Sequence, residues 1–171
     1  MRGKLWPVIG SLVFFLIAPA VVAGWVPYWL TAWEMGEPFP GSGAARGVGI
    51  VLIAIGVVSL IDCFARFALQ GRGTPAPVAP TQTLVVSGLY RYVRNPMYVA
   101  VLSIILGQAL LLGSVRLLQY AGFTWLFFFL FVRLYEEPTL RRQFGESYRV
   151  YQSHVRRWWP RLRPWQADKN S

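Results

Sequence analysis

Two short segments of this sequence combine polar, aromatic and charged side chains in a way that could support chemistry. The first runs from Ser87 to Tyr98, S-G-L-Y-R-Y-V-R-N-P-M-Y, and leads into an apolar stretch. Pro96 suits the first turn of a helix, where its missing N–H leaves no hydrogen bond unmade. The free N–H groups of such a helix start favour an anionic ligand group such as a carboxylate. The segment is therefore a candidate ligand site; the alternative is an anchor of Tyr and Arg at the level of the lipid headgroups.

The second segment is the acidic pair Glu136 and Glu137, which follows another apolar stretch. It is a second candidate site, and the alternative is a solvated helix end. The chain has no cluster of metal ligands, no Ser-His-Asp set and no phosphate-binding glycine loop, and its one histidine is His154. The sequence thus gives no support for hydrolytic or metal-dependent chemistry, and we predict no metal site.

The elements that must position these segments are apolar stretches of membrane-spanning length. Hydrophobic residues make up 55% of the chain and charged residues only 14%, against about 25% charged residues in soluble domains. A span needs about 20 apolar residues. We predict one all-α integral membrane domain over residues 1–171, with four transmembrane helices at about 7–30, 47–69, 96–114 and 117–134. A cytoplasmic loop at 71–95 and a cytoplasmic helical tail at 136–171 complete it.

The second span contains a pair of charged residues and the only cysteine of the chain. Asp62 and Arg66 are four residues apart, which places them on one helical face where they can pair. Cys63, the only cysteine, cannot form a disulfide within the chain and is expected to be a packing residue without a catalytic role. Arg116 lies at the turn of a predicted tight hairpin between spans three and four.

The basic residues orient the chain. Of the 17 Lys and Arg, 15 lie before the first span, from the end of the second span to the third, or from the end of the fourth span onward, and only Arg46 and Arg116 lie on the other side. Because Lys- and Arg-rich loops stay in the cytoplasm, we expect both termini there, in a bacterial inner membrane. The net charge of +10 flanks apolar spans, so we expect membrane lipids and not nucleic acid as partners.

A cleaved signal peptide over Met1 to Ala23 is the alternative for the first span, but the apolar run continues to Trp33.

The tail has helical periodicity. Spacings of three and four residues give one apolar stripe of Leu140, Phe144, Tyr148, Tyr151 and Val155. The stripe predicts a helix at the cytoplasmic surface with its basic groups toward lipid headgroups, broken or bent at Gly145. Trp158, Trp159, Pro160 and Trp165 are expected to make a second interfacial contact.

Taken together, the two candidate segments resemble a known family. Gln82 to Tyr98, Q-T-L-V-V-S-G-L-Y-R-Y-V-R-N-P-M-Y, is followed by a hairpin and then by E-E-P-T-L-R-R-Q-F-G-E-S-Y-R-V-Y at Glu136 to Tyr151. This order is similar to that of the isoprenylcysteine carboxyl methyltransferases and the related membrane phospholipid methyltransferases, over roughly the C-terminal half of the chain. The resemblance implies a membrane enzyme that transfers a methyl group from S-adenosylmethionine, bound at the cytoplasmic side, to a hydrophobic, lipid-like acceptor with a carboxylate, amine or thiol.

The resemblance also implies which residues form the site. The family's cofactor contacts fall on Gln82, Thr83, Leu84, Val85, Tyr90, Arg94, Asn95, Pro96, Met97, Tyr98 and Glu136. Glu137 is the candidate base for an amine or thiol acceptor. Arg133 is the candidate catalytic contact to an acceptor carboxylate, although it lies one residue away from the position of the family's arginine. The C-terminal tail would close the site and exclude water.

Asn95 and Ala100 depart from the family's pattern. The eukaryotic members carry histidine where this chain has Asn95, which keeps a hydrogen-bonding side chain but cannot titrate near neutral pH. Ala100 stands where a glycine is usual.

Two alternatives from other classes remain open. One is an NADPH-dependent membrane reductase, since steroid-reductase-like enzymes share an R-x-P-x-Y element; they place a glutamate soon after the tyrosine, where this chain has Val99, Ala100 and Val101. The other is a non-catalytic membrane scaffold, in which arginines and tryptophans serve only as anchors. Binding of S-adenosylmethionine, of NADPH or of neither separates the three. The oligomeric state is not predicted.

Overall fold

A computed structural model describes residues 17–39, 43–70 and 84–166, the side chains of 67–70 excepted. Within these ranges every regular element is a helix, as the sequence predicts. The five main helices are α1 (Ile17–Thr31), α2 (Gly43–Gln70), α3 (Pro96–Leu112), α4 (Val115–Phe131) and α5 (Glu137–His154). A short 3-10 helix, Gly88–Arg91, precedes α3.

The central helix is α3. It packs against α2, α4 and the middle of α1, and its buried residues lie on all sides. A helix that is apolar all round belongs in the interior of a bundle. Ile105 of α3 and Leu117 of α4 are both fully buried. Pro96 begins α3, as predicted, and Gly113 ends it in the left-handed conformation (φ 65°), which a glycine adopts without strain.

Glycines bring α2 and α3 into close contact. A Cβ on Gly49 would lie 2.6 Å from the carbonyl oxygen of Gly107, and one on Gly56 would lie 2.8 Å from that of Ala100. Small residues at such positions let two helix backbones approach closely in a membrane. The α2–α3 pair therefore forms a tight frame, and the candidate site lies at one end of it.

Two helical stretches among the described residues are long and apolar enough to cross a membrane, Gly43–Arg66 and Val115–His154. The second of these joins α4 and α5. Ile17–Thr31 and Pro96–Leu112 are apolar but shorter; the 17 residues of α3 would extend about 26 Å, against a hydrocarbon core of about 30 Å. The first part of predicted span one lies outside the described residues. The four-span topology stays a prediction.

Two turns of π-helix were not predicted. They comprise Val21–Trp25 in α1 and Val132–Glu136 between α4 and α5, and each ends two residues before a proline, Pro27 or Pro138. Proline lacks an N–H, and its ring crowds the carbonyl four residues earlier in a regular helix, so a wider turn relieves the conflict. Such π turns are frequent at functional sites. The second one places Glu136 at its last position.

The predicted apolar stripe of α5 is buried against the protein. Tyr148, Tyr151 and Val155 are each no more than 3% exposed. They pack with Leu140, Phe144, Leu84, Val86 and Trp165. Gly145 interrupts the helix with φ 54° and ψ −123°, which confirms the predicted break. The stripe therefore holds α5 against the segment that precedes the 3-10 helix.

Candidate functional site

Tyr98 and Glu136 meet in the structure. The Tyr98 hydroxyl donates a hydrogen bond of 2.8 Å to Oε2 of Glu136. Tyr98 lies in the first turn of α3, and Glu136 ends the π turn that follows α4. The Tyr98 ring also packs against Phe128 and Trp158, with centroid distances of 4.6 Å and 6.5 Å. Two predicted cofactor contacts, 38 residues apart in the chain, thus form one constellation.

Among the residues that the structure describes, Glu136 has a hydroxyl partner and no cationic one. Over the described ranges no Lys or Arg nitrogen lies within ion-pairing distance of it. Glu136 follows the apolar part of α4 and is half-buried. Burial raises the pKa of its carboxyl group, the Tyr98 hydrogen bond lowers that pKa, and the charge of Glu137 raises it. A cation placed beside Glu136 would stabilise its ionised form.

Glu137 has entirely different surroundings. Nε and Nη2 of Arg157 donate to its two carboxylate oxygens at 2.7 Å and 2.8 Å, and Nη1 of Arg94 lies 3.0 Å from Oε1. Gln152 reaches Oε2 at 3.4 Å. Glu137 is only 4% exposed. Both of its oxygens are therefore engaged by groups of the protein itself.

Tyr90 lies where the 3-10 helix meets α2. Its hydroxyl is hydrogen-bonded with the thiol of Cys63, and its carbonyl oxygen accepts a 2.6 Å bond from the Tyr151 hydroxyl. Burial raises the pKa of Tyr90 well above its ordinary value, so the hydroxyl stays protonated. Cys63 is fully buried, as expected of a packing residue. Its bond to Tyr90 adds a positioning contact that no sequence pattern indicates.

The predicted Asp62–Arg66 pair is confirmed, with 2.8 Å between Arg66 Nε and Asp62 Oδ2. The Arg66 guanidinium lies directly against Gly88, which has φ 53°. A side chain at Gly88 would collide with that guanidinium, so glycine is required there both for its conformation and for the space it leaves. The ion pair of α2 therefore supports the 3-10 helix that carries Tyr90.

We call the first candidate segment, Ser87 to Tyr98, the motif. The segment after α5, residues 156–165, crosses it without regular secondary structure, and we call it the strap. Its backbone bonds are Arg94 N to Arg156 O (2.9 Å), Arg161 N to Tyr92 O (3.0 Å) and Trp165 N to Arg91 O (3.0 Å). Asn95, the residue before α3, does not cap the helix with its side chain. Its Nδ2 donates instead to the Arg157 carbonyl oxygen at 3.2 Å. The strap thus covers residues 91–95.

The remaining predicted residues fall into three groups. Gln82 and Thr83 lie outside the described residues. Leu84, Val85, Pro96 and Met97 are buried or half-buried beside the motif. Arg133 is exposed, with its guanidinium carbon 6.0 Å from the centroid of the Phe129 ring. The structure therefore joins Tyr98 to Glu136 and leaves Arg133 at the outer surface.

An apolar cleft of about 320 Å³ lies beside the motif. Residues from α2, α3, the 3-10 region and the strap line it, among them Gly56, Tyr92, Pro96, Val99 and Pro160. Its lining is mostly apolar and it is partly open. An apolar ligand could therefore approach the start of α3 through it.

The fold and the site together define a helical protein of membrane character with a polar site at one end of an apolar bundle. The family model described as phospholipid methyltransferase matches residues 45–147, which run from α2 through the acidic pair into α5. The chain belongs to this family, which confirms the resemblance found in its sequence. Membership implies methyl transfer in membranes and indicates lipid substrates. No curated protein and no solved structure matches the chain significantly.

Proposed function

We propose that the protein transfers a methyl group from S-adenosylmethionine to a lipid-like acceptor at the cytoplasmic face of a membrane. The observation that carries this proposal is the state of Glu136, a half-buried carboxylate with Tyr98 as its hydrogen-bond partner and no cation beside it among the described residues. S-adenosylmethionine has an ammonium and a sulfonium group, and when bound it supplies an electrophilic methyl group. A ligand with two cationic groups fits the charge of Glu136.

Other residues of the chain fit the remaining parts of this cofactor. The Asn95 side chain does not cap α3, so the first N–H groups of that helix are available to an anionic group such as a carboxylate. Tyr90 and Asn95 offer polar contacts, and Leu84, Val85 and Met97 offer apolar ones. We propose that these residues hold the cofactor, together with Gln82, Thr83, Arg94 and Pro96.

Alignment is the main contribution of the protein to such a reaction. Displacement at a methyl group needs the donor and acceptor in line, and well-oriented groups can gain about 7–11 kcal/mol over free reactants. The frame of α2 and α3 and the strap supply rigid walls for this purpose. The apolar cleft beside Pro96 and Val99 is the proposed entry for the hydrophobic part of the acceptor.

For Glu137 we propose a positioning role in place of a general base. A base must have an oxygen free to reach the proton that it removes, and both oxygens of Glu137 already accept from Arg157. Glu137 instead fixes Arg94 beside the motif and Arg157 in the strap. Arg133, exposed after α4, remains the proposed contact for an anionic group of the acceptor.

The test is ligand binding to the purified full chain in detergent. Calorimetry should show binding of S-adenosylmethionine and none of NADPH, and methyl-labelled cofactor should label a lipid extract. Glu136→Ala should weaken cofactor binding at least about tenfold, because it removes a charged partner of the ligand. Glu146→Ala, on the exposed side of α5, is the matched control. Binding of NADPH alone would favour the reductase, and binding of neither would favour the scaffold.

A further inference from the structure

Trp158 is the strap residue that reaches the site. Its ring lies 6.5 Å from that of Tyr98, centroid to centroid, and it packs against the core cluster that contains Phe128. Tyr98 in turn binds Glu136. The indole therefore borders the proposed cofactor site. Its position lies beyond residues 45–147, the part of the chain that matches the family.

The indole N–H of Trp158 is buried without an acceptor. Among the residues that the structure describes, no oxygen or nitrogen accepts a hydrogen bond from its Nε1. A buried tryptophan N–H normally finds a partner, because an unmade hydrogen bond in the interior is unfavourable. Trp159, the next residue, is 75% exposed. The two adjacent tryptophans thus differ: the indole N–H of Trp158 is buried without an acceptor, whereas Trp159 is exposed to the surroundings.

The strap fixes the position of this indole from both sides. Arg157, directly before it, makes the two-pronged contact with Glu137 and offers its carbonyl oxygen to Asn95. On the other side, Arg161 N donates to the Tyr92 carbonyl oxygen at 3.0 Å. A donor held in place before binding loses little freedom when the ligand arrives. Trp158 is therefore presented to the site by a built scaffold.

We propose that Trp158 is a ligand-binding residue of this site, whose indole N–H donates a hydrogen bond to an acceptor atom of the bound adenosyl amino acid. The assignment rests on the proposed function. The ligand group it would take is a carboxylate, a hydroxyl or a ring nitrogen, all of which this cofactor class carries. Arg157 and Glu137 are positioning residues for the indole.

The probe is S-adenosylhomocysteine, which binds without reacting, titrated by calorimetry into the full chain in detergent. Trp158→Phe keeps an aromatic ring and removes the donor, so its affinity should fall about tenfold. Trp159→Phe is the matched control and should bind within about twofold of the unchanged protein, since that indole is exposed. Equal affinity of Trp158→Phe and the unchanged protein would overturn the assignment.

A second measurement covers the case in which Trp158→Phe fails to fold. The unchanged protein and Trp159→Phe, both with ¹⁵N at the tryptophan Nε1, are compared by NMR with and without S-adenosylhomocysteine. The spectra of both proteins should contain an indole N–H signal that is protected from exchange with solvent. The chemical shift of this signal should change when the ligand binds, and no change at saturation would overturn the assignment. If the unchanged protein binds no S-adenosylhomocysteine, the proposed function fails together with this inference. If it binds and only the tryptophan tests fail, the proposed function stands.

Discussion

At the scale of single residues, the adjacent carboxylates of Glu136 and Glu137 lie in different surroundings. Glu136 faces a tyrosine hydroxyl at 2.8 Å, whereas Glu137 faces the guanidinium groups of Arg94 and Arg157. The π turn ends between them and sends them to different partners. Substitution of Glu136 should therefore affect ligand binding, and substitution of Glu137 should affect the stability of the fold.

Glu137→Ala should lower the free energy of unfolding by about 3–5 kcal/mol, because it leaves the buried Arg94 and the half-buried Arg157 without their carboxylate. Thermal unfolding in detergent measures this. Glu146→Ala is the control: its pair with Arg149 is more than 70% exposed on both sides, and such pairs contribute little. Equal unfolding temperatures for the two variants would contradict the anchoring role of Glu137.

Tyr98→Phe should move the pH dependence of cofactor binding upward. Burial raises the pKa of Glu136 and the Tyr98 hydrogen bond lowers it, so removal of that hydrogen bond raises the pKa further. A cationic ligand needs the ionised carboxylate, and binding is therefore lost as the pH falls through the pKa of the ligand-free protein. The loss should occur at a higher pH in Tyr98→Phe.

Calorimetric titration of S-adenosylmethionine over a pH series measures this shift. Tyr135→Phe, at an exposed tyrosine within the same π turn, serves as the control and should keep the midpoint of the unchanged protein. A Tyr98→Phe midpoint at the same or a lower pH would show that the hydrogen bond does not set the ionisation of Glu136.

The sequence led to some of the site residues and not to others for a physical reason. Tyr98 and Glu136 stand in local motifs whose likeness to a family could be read directly. Arg157 and Trp158 act through the strap, whose position depends on hydrogen bonds between residues 62 to 74 positions apart. No local pattern encodes such a contact. The same holds for the partners of Glu137.

At the scale of elements, the ends of helices could be predicted from local residues, whereas the segments that each helix packs against could not. Pro96 and Gly113 mark the ends of α3 closely, because proline and glycine act on their own turn. The stripe of α5 was visible as a spacing, but its burial against Leu84, Val86 and Trp165 depends on distant segments. The two π turns, each of which ends two residues before a proline, were not predicted.

Gly49→Ala and Gly47→Ala should change stability in opposite directions. A methyl group on Gly49 would lie 2.6 Å from the Gly107 carbonyl oxygen and 2.8 Å from Leu111 N, so overpacking should lower the free energy of unfolding by about 1–3 kcal/mol. Gly47, on the same helix, has nothing within 4 Å of such a methyl group. There the better helix propensity of alanine should raise stability by up to about 1 kcal/mol.

Reversible unfolding in mixed detergent measures both changes. Equal free energies of unfolding for Gly49→Ala and Gly47→Ala would contradict the close contact between α2 and α3.

At the scale of the whole molecule, the charge asymmetry of the sequence corresponds to the two ends of the bundle. The motif, α5 and the strap meet at one end. At the other, the α1–α2 loop meets the α3–α4 turn, with Gly36 N donating to the Leu112 carbonyl oxygen at 2.8 Å. Arg46 donates to the Gly36 carbonyl oxygen at 3.0 Å and so belongs to this second end. The basic end of the bundle is thus the end that carries the site. An anionic cytoplasmic leaflet would attract this basic end.

Cysteine labelling tests this orientation in the whole chain. Cys63 is fully buried, so the unchanged protein should not react with a membrane-impermeant maleimide until it is unfolded, and introduced cysteines can be read against that background. Glu34→Cys lies in the exposed α1–α2 loop and Glu146→Cys on the exposed side of α5. In inside-out vesicles only Glu146→Cys should be labelled, and in right-side-out vesicles only Glu34→Cys. Labelling of both Glu34→Cys and Glu146→Cys from one side would mean that the two ends of the bundle do not lie on opposite sides of the membrane. A cytoplasmic cofactor would then have to enter the site by a different route.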